Sequence, residues 1–378
     1  MTETYGLLST YPPTQCGLAT FTAALRRHIA GPSAATEDFG VVRLVDESDA
    51  ASPPEVVLDW IKGCATSRQR AVAALNEFDV AIVQHEYGIF GGPDGEEVLD
   101  VLEALRVPTI VVLHTVLVSP TDHQRAILEA VARAADAVVT MTRTAFRRLR
   151  AYDVDMSKGS VIPHGAHVPS RTIAPRYDPA RPTILTWGLL GPGKGIEWGL
   201  QALALLGDVG PAPRYLIVGK THPKVLETQG EAYRHRLVAR AKDLGVSHLV
   251  EFNASYLSID ALEAIVRDAD VILLPYDSPD QVTSGVLIEA VAAGKPVISS
   301  RFPHAVELLG DGAGLLVPHR NPEAIATALT RVLTEPGLKS AMAAEAARLS
   351  PQLGWPAVAA EYRALADQVI ASRVTNVA

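Results

Sequence analysis

Short apolar runs rich in β-branched residues alternate along this chain with longer segments in which Ala, Leu and Arg recur at helical spacing. This alternation predicts parallel strands that are covered by helices on both faces. In the first half, the predicted strands are Tyr5–Ser9, Phe39–Leu44, Val80–Gln84, Thr109–His114, Ala137–Thr140 and Gly159–Ile162. In the second half, they are Thr183–Trp187, Arg214–Val218, Leu249–Phe252, Val271–Leu274, Pro296–Ser299 and Gly314–Val317. The fold class is therefore predicted to be α/β, with two doubly wound sheets.

A proline-rich segment separates the two series of strands. Val168–Pro182 contains four prolines, which disfavour both a helix and a central strand. We therefore expect an N-terminal domain at residues 1–169 and a C-terminal domain at residues 170–354. From Trp355 to about Ser372, apolar residues recur at helical spacing, so residues 355–378 are predicted to close the chain with an amphipathic helix.

The composition is that of a folded protein without a general nucleic-acid footprint. Apolar residues make up 48% of the chain and charged residues 20%, and the formal net charge is −8. Two cysteines, Cys16 and Cys64, suggest no disulfide framework, which favours a reducing compartment. The first residues resemble no secretion signal, and no apolar run approaches the ~18 residues of a membrane span. We expect a cytoplasmic protein.

One group of arginines departs from the acidic balance of the chain: Arg143, Arg147, Arg148 and Arg150. On a helix they could contact anionic lipid or an acidic acceptor, although a solvated helix face is the commoner role of such a group. Peripheral association with the inner face of a membrane is therefore compatible with the sequence.

The segment Gln281–Ser300 directly follows an apolar strand and predicts a nucleotide site. A loop leads to a helix that begins near Gly285, and this helix places Glu289 in its first turns. The N–H groups of such a helix end favour a phosphate, and a carboxylate one turn further can accept hydrogen bonds from ribose hydroxyls. The residues predicted to hold the nucleotide here are Gln281, Thr283, Ser284, Gly285, Val286 and Glu289.

A second glycine-rich segment follows the first strand of the C-terminal half. Gly188, Gly193 and Lys194 have the G-x4-G-K spacing of a P-loop. Gly195, however, occupies the position of the hydroxyl that would bind Mg²⁺, so the pattern favours phosphate binding without a metal ion. The acidic triplet Asp268–Asp270 precedes its strand rather than follows it, and no metal site is predicted.

In the first half, a glycine and several polar residues follow strands, where ligands bind in doubly wound sheets. Gly17 leads into a helix, and it either lets the backbone approach a diphosphate or serves as a turn glycine. His85 and Glu86 lie in an exposed-looking loop and are predicted to recognise an acceptor, with structural capping by Glu86 as the alternative. His114 ends a strand, where a histidine is more often part of the structure than a catalyst.

Together, these motifs resemble the donor-binding signature of retaining glycosyltransferases of family 4. The resemblance covers essentially the whole chain and is strongest from about Thr183 to Leu329. It implies the GT-B fold, in which two Rossmann-like doubly wound domains face a central cleft and the last helix crosses back to the N-terminal domain. The N-terminal domain would bind an acceptor and the C-terminal domain a sugar nucleotide.

The resemblance also implies roles for individual residues. The predicted catalytic residues are His114, Lys194 and Glu289. Lys194 would neutralise the diphosphate leaving group, Glu289 would bind the ribose, and His114 would lie close to the transferred sugar. Gly17 would belong to a glycine-containing loop near donor and acceptor, and Gly193 would precede the Lys-Gly pair of the donor site.

Two positions depart from the pattern of the family. Leu189 replaces an arginine, so one positive charge on the diphosphate is missing unless Lys220 or Arg301 supplies it. Gln281 replaces a glutamate that touches the hydroxyls of the sugar. Glutamine keeps an acceptor oxygen but carries no charge, which makes altered sugar selectivity the expected consequence.

The function implied is retaining transfer of a hexosyl group, with mannose or glucose favoured, from a GDP- or UDP-sugar to a hydroxyl. The acceptor would be a glycan, a glycolipid or a small molecule, and no cofactor or metal ion is expected. Two other classes stay open: a glycoside phosphorylase of the same fold, and a non-catalytic protein that binds a sugar nucleotide. A P-loop NTPase is the least favoured alternative.

Overall fold

The computed structural model describes residues 3–31, 38–47, 52–168, 181–207 and 209–377. The chain divides into two units: unit 1 comprises Met1–Gly165 and Trp355–Ala378, and unit 2 comprises Ala166–Gly354. Most of the expected linker, Val168–Pro182, lies outside the described residues. The domain boundaries drawn from the sequence therefore stay predictions.

Each unit contains one parallel β-sheet. The strands of unit 1 are β1 (Tyr5–Ser9), β2 (Phe39–Val45), β3 (Val56–Ile61), β4 (Val80–His85), β5 (Thr109–Leu113), β6 (Ala137–Thr140) and β7 (Gly159–Val161). Those of unit 2 are β8 (Thr183–Trp187), β9 (Arg214–Val218), β10 (Val250–Asn253), β11 (Val271–Leu274), β12 (Val297–Ser300) and β13 (Gly314–Val317). The orders are β3-β2-β1-β4-β5-β6-β7 and β10-β9-β8-β11-β12-β13. Both orders reverse beside the first strand, as in doubly wound folds, and the predicted fold class is confirmed.

Helices alternate with the strands in both units. In chain order they are α1 (Gly17–Ala30), α2 (Ala65–Leu75), α3 (Glu97–Ala104), α4 (Asp122–Ala134), α5 (Arg143–Arg148), α6 (Ile196–Leu205), α7 (Pro223–Gln229), α8 (Ala232–Asp243), α9 (Ile259–Asp268), α10 (Gly285–Ala292), α11 (Pro303–Leu309), α12 (Pro322–Thr334), α13 (Leu338–Leu353) and α14 (Trp355–Val377). Several begin at a side chain that accepts a hydrogen bond from the first turn, as Thr121 does for α4 and Ser284 for α10. Short polar residues therefore mark these helix starts in the sequence.

One core cluster of unit 1 joins the sheet to helices α1 and α14. Phe21 and Leu25 of α1 pack with Val358 and Tyr362 of α14, together with alternate residues of strands β1, β4 and β5. Gly165 lets the ring of Trp355 approach closely, because a Cβ at this position would lie 2.2 Å from the indole. The last helix is therefore an integral part of unit 1.

The sheet of unit 2 is covered on both faces. Alternate residues of one strand belong to different core clusters: Leu185 and Trp187 to one, Ile184 to the other. Since successive side chains of a strand point to opposite faces, the two clusters lie on opposite sides of the sheet. This burial on both sides explains why the strands read as continuous apolar runs in the sequence.

Candidate active site

The glycine-rich loop of unit 2 connects strand β8 to helix α6. Gly195 has a φ of +63°, and a Cβ there would lie 1.9 Å from the carbonyl oxygen of Pro275. The carbonyl of Gly193 accepts a hydrogen bond of 2.8 Å from the amide of Asp277. Both contacts tie the loop to the residues that follow β11. The loop is thus held at the carboxyl edge of the sheet, and glycine is required at position 195.

Lys194 is fixed by an aromatic side chain. Its ammonium nitrogen lies 4.4 Å from the ring centroid of Tyr276 and 3.4 Å from the hydroxyl of the same residue. Tyr276 is fully buried and stacks on Phe302 with a centroid distance of 5.2 Å. A cation over an aromatic face is attracted by the ring, which restricts the movement of the side chain. The structure therefore holds a half-buried positive charge beside the glycine-rich loop.

Glu289 is the fifth residue of helix α10, which begins at Gly285 as the sequence predicts. Its carboxylate accepts a hydrogen bond of 3.2 Å from the indole nitrogen of Trp187, the last residue of β8. Burial raises the pKa of Glu289 to about 7, and the Trp187 bond opposes this shift. Gly188 brings the two segments together as well, since a Cβ on it would lie 3.5 Å from Val286. The helix start and the glycine-rich loop therefore form one site.

Some backbone amides at the start of α10 donate hydrogen bonds within the protein, and others have no acceptor among the described residues. The amide of Ser284 donates to Nδ1 of His304 at 2.9 Å, and the side chain of Ser284 accepts from the amide of Leu287. Within the described part of the chain, the amides of Gly285 and Val286 have no such acceptor. These two N–H groups are consequently the ones that an anion could use.

Gln281 and Thr283 shape the loop before α10. The side-chain amide of Gln281 donates to the carbonyl of Thr283 at 2.9 Å, which leaves its oxygen as an acceptor. The hydroxyl of Thr283 is buried and has no hydrogen-bond partner among the described residues. His304, which the sequence analysis does not single out, organises this loop from helix α11, and only its position after strand β12 could have drawn attention to it.

Leu189 follows strand β8, next to the segment that contains Lys220 after strand β9. The amide of Leu190 donates to the carbonyl of Lys220 at 2.8 Å, so the residues that follow β8 and β9 run side by side. Arg301 follows β12, which is separated from β8 by β11. Of the two candidates for the missing positive charge, Lys220 is therefore the one whose backbone adjoins the glycine-rich loop.

Gly17 is the first residue of helix α1 in unit 1. Cys16 precedes it, and its sulfur accepts a hydrogen bond of 3.4 Å from the amide of Ala19. A Cβ added at Gly17 would meet nothing within 4 Å. The start of α1 therefore faces open space, which suits the approach of a ligand to its amides.

His114 directly follows strand β5 and contacts Phe21, which lies about one turn after Gly17 in α1. Its Nε2 is 2.7 Å from Oε1 of Gln84, and its ring meets that of Phe21 edge-on at 5.1 Å. Phe21 also contacts the ring of His164 at 4.9 Å. Gln84, Phe21 and His164 are not among the site residues predicted from the sequence, because their proximity depends on how three strand ends and α1 meet.

The expected exposure of the loop after β4 is wrong for His85. This residue is 1% exposed and lies between the rings of Tyr87 and Phe90, because it ends a central strand. The carboxylate of Glu86 accepts hydrogen bonds from the hydroxyl of Thr115 at 2.5 Å and from the amide of Tyr87 at 3.0 Å. Glu86 thus makes hydrogen bonds within the structure of unit 1, and both its capping role and its part in acceptor recognition stay predictions.

Three of the histidines of unit 1, namely His85, His114 and His164, are uncharged near neutral pH. Burial lowers the pKa of His85 to about 4, that of His164 to about 4 and that of His114 to about 3. Repulsion from His164 and His85 adds to the effect at His114. An imidazole in this state can accept a hydrogen bond from a hydroxyl, which an imidazolium cannot.

Residues 174–349, which include Lys194 and Glu289, match the family described as glycosyl transferases group 1. This match spans 176 of the 378 residues, all of them in unit 2. The matched region contains the glycine-rich loop and helix α10, the two segments that Trp187 and Glu289 join.

This chain matches curated relatives over about half of their length. The D-inositol 3-phosphate glycosyltransferase of Corynebacterium glutamicum is 28% identical over 58% of this chain and 54% of its own. The phosphatidyl-myo-inositol mannosyltransferase of Mycobacterium leprae is 29% identical over 56% of this chain and 54% of its own. The chain therefore spans about half the length of the curated relatives that it matches.

Solved structures share the fold over nearly the whole chain. The crystal structure of Anabaena HepE in complex with UDP and glucose has a TM-score of 0.74 at 16% identity, over 97% of this chain and 100% of that chain. Together with the two doubly wound sheets, this likeness confirms the GT-B fold class.

Other residues that the sequence analysis singles out have structural contacts. Arg148 donates to the carbonyl of Val116 at 3.0 Å, and Asp270 accepts from the amide of Thr183 and pairs with Lys339. In the described ranges, no three His, Cys, Asp or Glu side chains are grouped to hold a metal ion. No helix there is both long and apolar enough to cross a bilayer.

Proposed function

We propose that this protein transfers a hexosyl group from a nucleoside-diphosphate sugar to a hydroxyl, with retention of configuration and without a metal ion. The observation that carries the proposal is the bond between Trp187 and Glu289, which unites the loop of Lys194 with the start of helix α10. The site so formed offers a positive charge, two amides and a carboxylate, which match a diphosphate and a ribose.

Unit 2 would hold the donor. Lys194 would stabilise the negative charge that grows on the leaving diphosphate, together with the amides of Gly285 and Val286. Glu289 would accept hydrogen bonds from the ribose hydroxyls, and the free oxygen of Gln281 would contact a hydroxyl of the sugar. Lys220 would supply the charge that Leu189 lacks. GDP-mannose is the favoured donor, and the mannosyltransferase among the relatives is consistent with it.

Unit 1 would provide the binding site for the acceptor and residues that contact the transferred sugar. The open start of α1 at Gly17 and the uncharged ring of His114 would contact donor or acceptor oxygens. Glu86 and His85 remain the proposed acceptor side, where the buried His85 can act only through the residues around it. The inositol-containing acceptors in the names of two relatives are hydroxyl-rich compounds of the required kind.

Substitution of Lys194 tests the proposed role in leaving-group stabilisation. Lys194→Ala should lower turnover at saturating donor by at least about tenfold, because a charge complementary to the transition state is removed. Lys242→Ala is the matched control, since Lys242 is an exposed lysine of helix α8 in the same unit. Equal turnover of wild type and Lys194→Ala would contradict the proposal.

A thermal-shift panel identifies the donor. UDP-, GDP- and ADP-sugars are each measured with and without Mg²⁺, because a ligand at ~100 times its dissociation constant adds about 2.7 kcal/mol of stability. We expect one nucleotide to shift the melting temperature equally in both conditions. A shift with inorganic phosphate or a disaccharide alone would instead favour a glycoside phosphorylase, and a tight donor complex without transfer would favour a binding protein.

A further inference from the structure

A fully buried glutamine lies directly behind His114. Gln84 precedes the last residue of β4 and is 0% exposed. Its neighbour in β5 is Val112, and His114 follows Val112 by two residues. Because side chains two residues apart in an extended chain point the same way, Gln84 and His114 project to the same face. The 2.7 Å contact between Oε1 of Gln84 and Nε2 of His114 follows from this register.

The contact determines which nitrogen of His114 carries the proton. The amide oxygen of Gln84 only accepts hydrogen bonds, so Nε2 of His114 must be the donor. The ring is neutral, because burial lowers its pKa to about 3. A neutral imidazole has one N–H, so a proton on Nε2 leaves Nδ1 as a lone pair. The edge-on contact with Phe21 fixes the plane of the ring and hence the direction of this lone pair.

The structure assigns Gln84 as the residue that positions His114 for its task. By holding the Nε2–H tautomer, Gln84 makes Nδ1 of His114 a permanent acceptor for a hydroxyl of the donor sugar or of the acceptor. This inference rests on the proposed function for the identity of the hydroxyl, but the tautomer itself is a property of the free protein. Gln84 acts through His114 and does not touch a substrate, because it is buried.

The titratable groups around the ring act against its protonation. His85 of β4 and His164, which follows β7, both disfavour a charge on His114. The carboxylate of Glu86, the residue after His85, accepts a hydrogen bond from the hydroxyl of Thr115, the residue after His114. A neutral residue at position 84 completes this arrangement, since a carboxylate there would stabilise an imidazolium and remove the lone pair.

Nitrogen chemical shifts of the histidine rings in the full-length protein test the tautomer directly. We expect His114 to show the shift pattern of a protonated Nε2 and a bare Nδ1, without titration between pH 5 and 8. The resonance is assigned by its absence in His114→Gln. A proton on Nδ1, or titration of wild-type His114 near pH 6.5, would overturn the inference without touching the proposed function.

Two substitutions extend the test. Gln84→Glu should raise the pKa of His114 by at least about one unit, whereas Gln84→Met should keep it low and produce a mixture of tautomers. Gln201→Glu makes the same chemical change on helix α6 in unit 2 and should leave His114 unaffected. An unchanged His114 titration in folded Gln84→Glu would refute the assigned role.

The pH profile of transfer connects the tautomer to function. In Gln84→Glu, kcat/KM should gain an acidic limb at the raised pKa of His114, because the protonated ring no longer accepts at Nδ1. Donor analogues that each lack one sugar hydroxyl show whether that hydroxyl belongs to the donor or to the acceptor. If His114 binds a hydroxyl of the donor sugar, the acidic limb disappears with the analogue that lacks this hydroxyl. If His114 binds the acceptor, the limb persists with every analogue. A profile identical to that of wild type would mean that Gln84 has only a structural role.

Discussion

At the scale of a single residue, the proposed role of Glu289 predicts that donor binding depends on pH. Burial raises its pKa to about 7, so the carboxyl is half protonated near neutrality. A protonated carboxyl is a poorer acceptor for ribose hydroxyls than a carboxylate. Between pH 8 and pH 6 we therefore expect the affinity for a sugar nucleotide to fall about tenfold, as measured by calorimetry. Sugar nucleotides are the suitable probe, because their diphosphates do not titrate in this range.

Glu289→Gln is the control for this dependence. The variant should bind the donor more weakly than wild type at pH 8, with an affinity that is flat from pH 6 to 8. A wild-type affinity that does not change with pH would refute the role of Glu289. For the free protein the sign is opposite: a raised carboxyl pKa means that this group lowers stability as pH rises from about 4.5 to about 7.

Sequence patterns identify residues with a local signature and miss those that meet through the fold. Lys194 and Glu289 stand out because a glycine-rich turn and a helix start surround them in the chain. Tyr276, His304 and Gln84 support the site from other elements, through contacts that the sequence around them does not show. Burial of His85 was misjudged for a related reason: a polar residue followed by glycines reads as a loop, although it ends a central strand.

At the scale of elements, the glycine-rich loop depends on the conformation of Gly195. Gly195→Ala should destabilise unit 2 by at least about 2 kcal/mol, because alanine at this φ is strained and its Cβ would overlap the carbonyl of Pro275. The measurement is the thermal midpoint of unfolding, followed by tryptophan fluorescence. We also expect weaker donor binding, since the loop carries Lys194.

Gly207→Ala is the matched control for Gly195→Ala. A Cβ at Gly207, which follows helix α6, would meet nothing within 4 Å, and its φ is not in the left-handed region. This variant should unfold within a degree or two of wild type, because surface substitutions change stability by less than about 0.5 kcal/mol. Similar midpoints for both variants would show that the loop can rearrange around a side chain at position 195.

Most of the strands were predictable because they are apolar runs that are buried on both sides, as β4, β5 and β8 are. All twelve predicted strands are present, with ends that differ by one residue at most. The thirteenth, β3, lies at the edge of its sheet and carries Asp59 in its centre. Arg43 of β2 neutralises this carboxylate with two bonds of 2.7 and 2.8 Å. A charged residue in a half-exposed segment makes such a strand hard to recognise from the sequence, because the residue that neutralises the charge is known only from the fold.

At the scale of the whole molecule, the chain leaves unit 1 after Gly165 and returns to it at Trp355. The return is built into the core, since Trp355 packs on Phe21 with a centroid distance of 5.2 Å and covers Gly165. Phe21 in turn contacts His114 and His164. The last helix therefore supports the histidine rings of unit 1, although it is far from them in the sequence.

Trp355→Ala should consequently destabilise unit 1 and leave the stability of unit 2 unchanged. Removal of a buried indole costs about 3–5 kcal/mol, and the loss falls on the elements that Trp355 contacts. Hydrogen exchange followed by mass spectrometry should show faster exchange in β1, β4, β5 and α1, while β8 and β11 keep their protection. Leu353→Ala, which opens the core of unit 2 two residues earlier, should give the reverse pattern. If either variant caused equal loss of protection in both units, helix α14 would not belong to unit 1 alone. The link from helix α14 through Phe21 to His114 would then be contradicted as well.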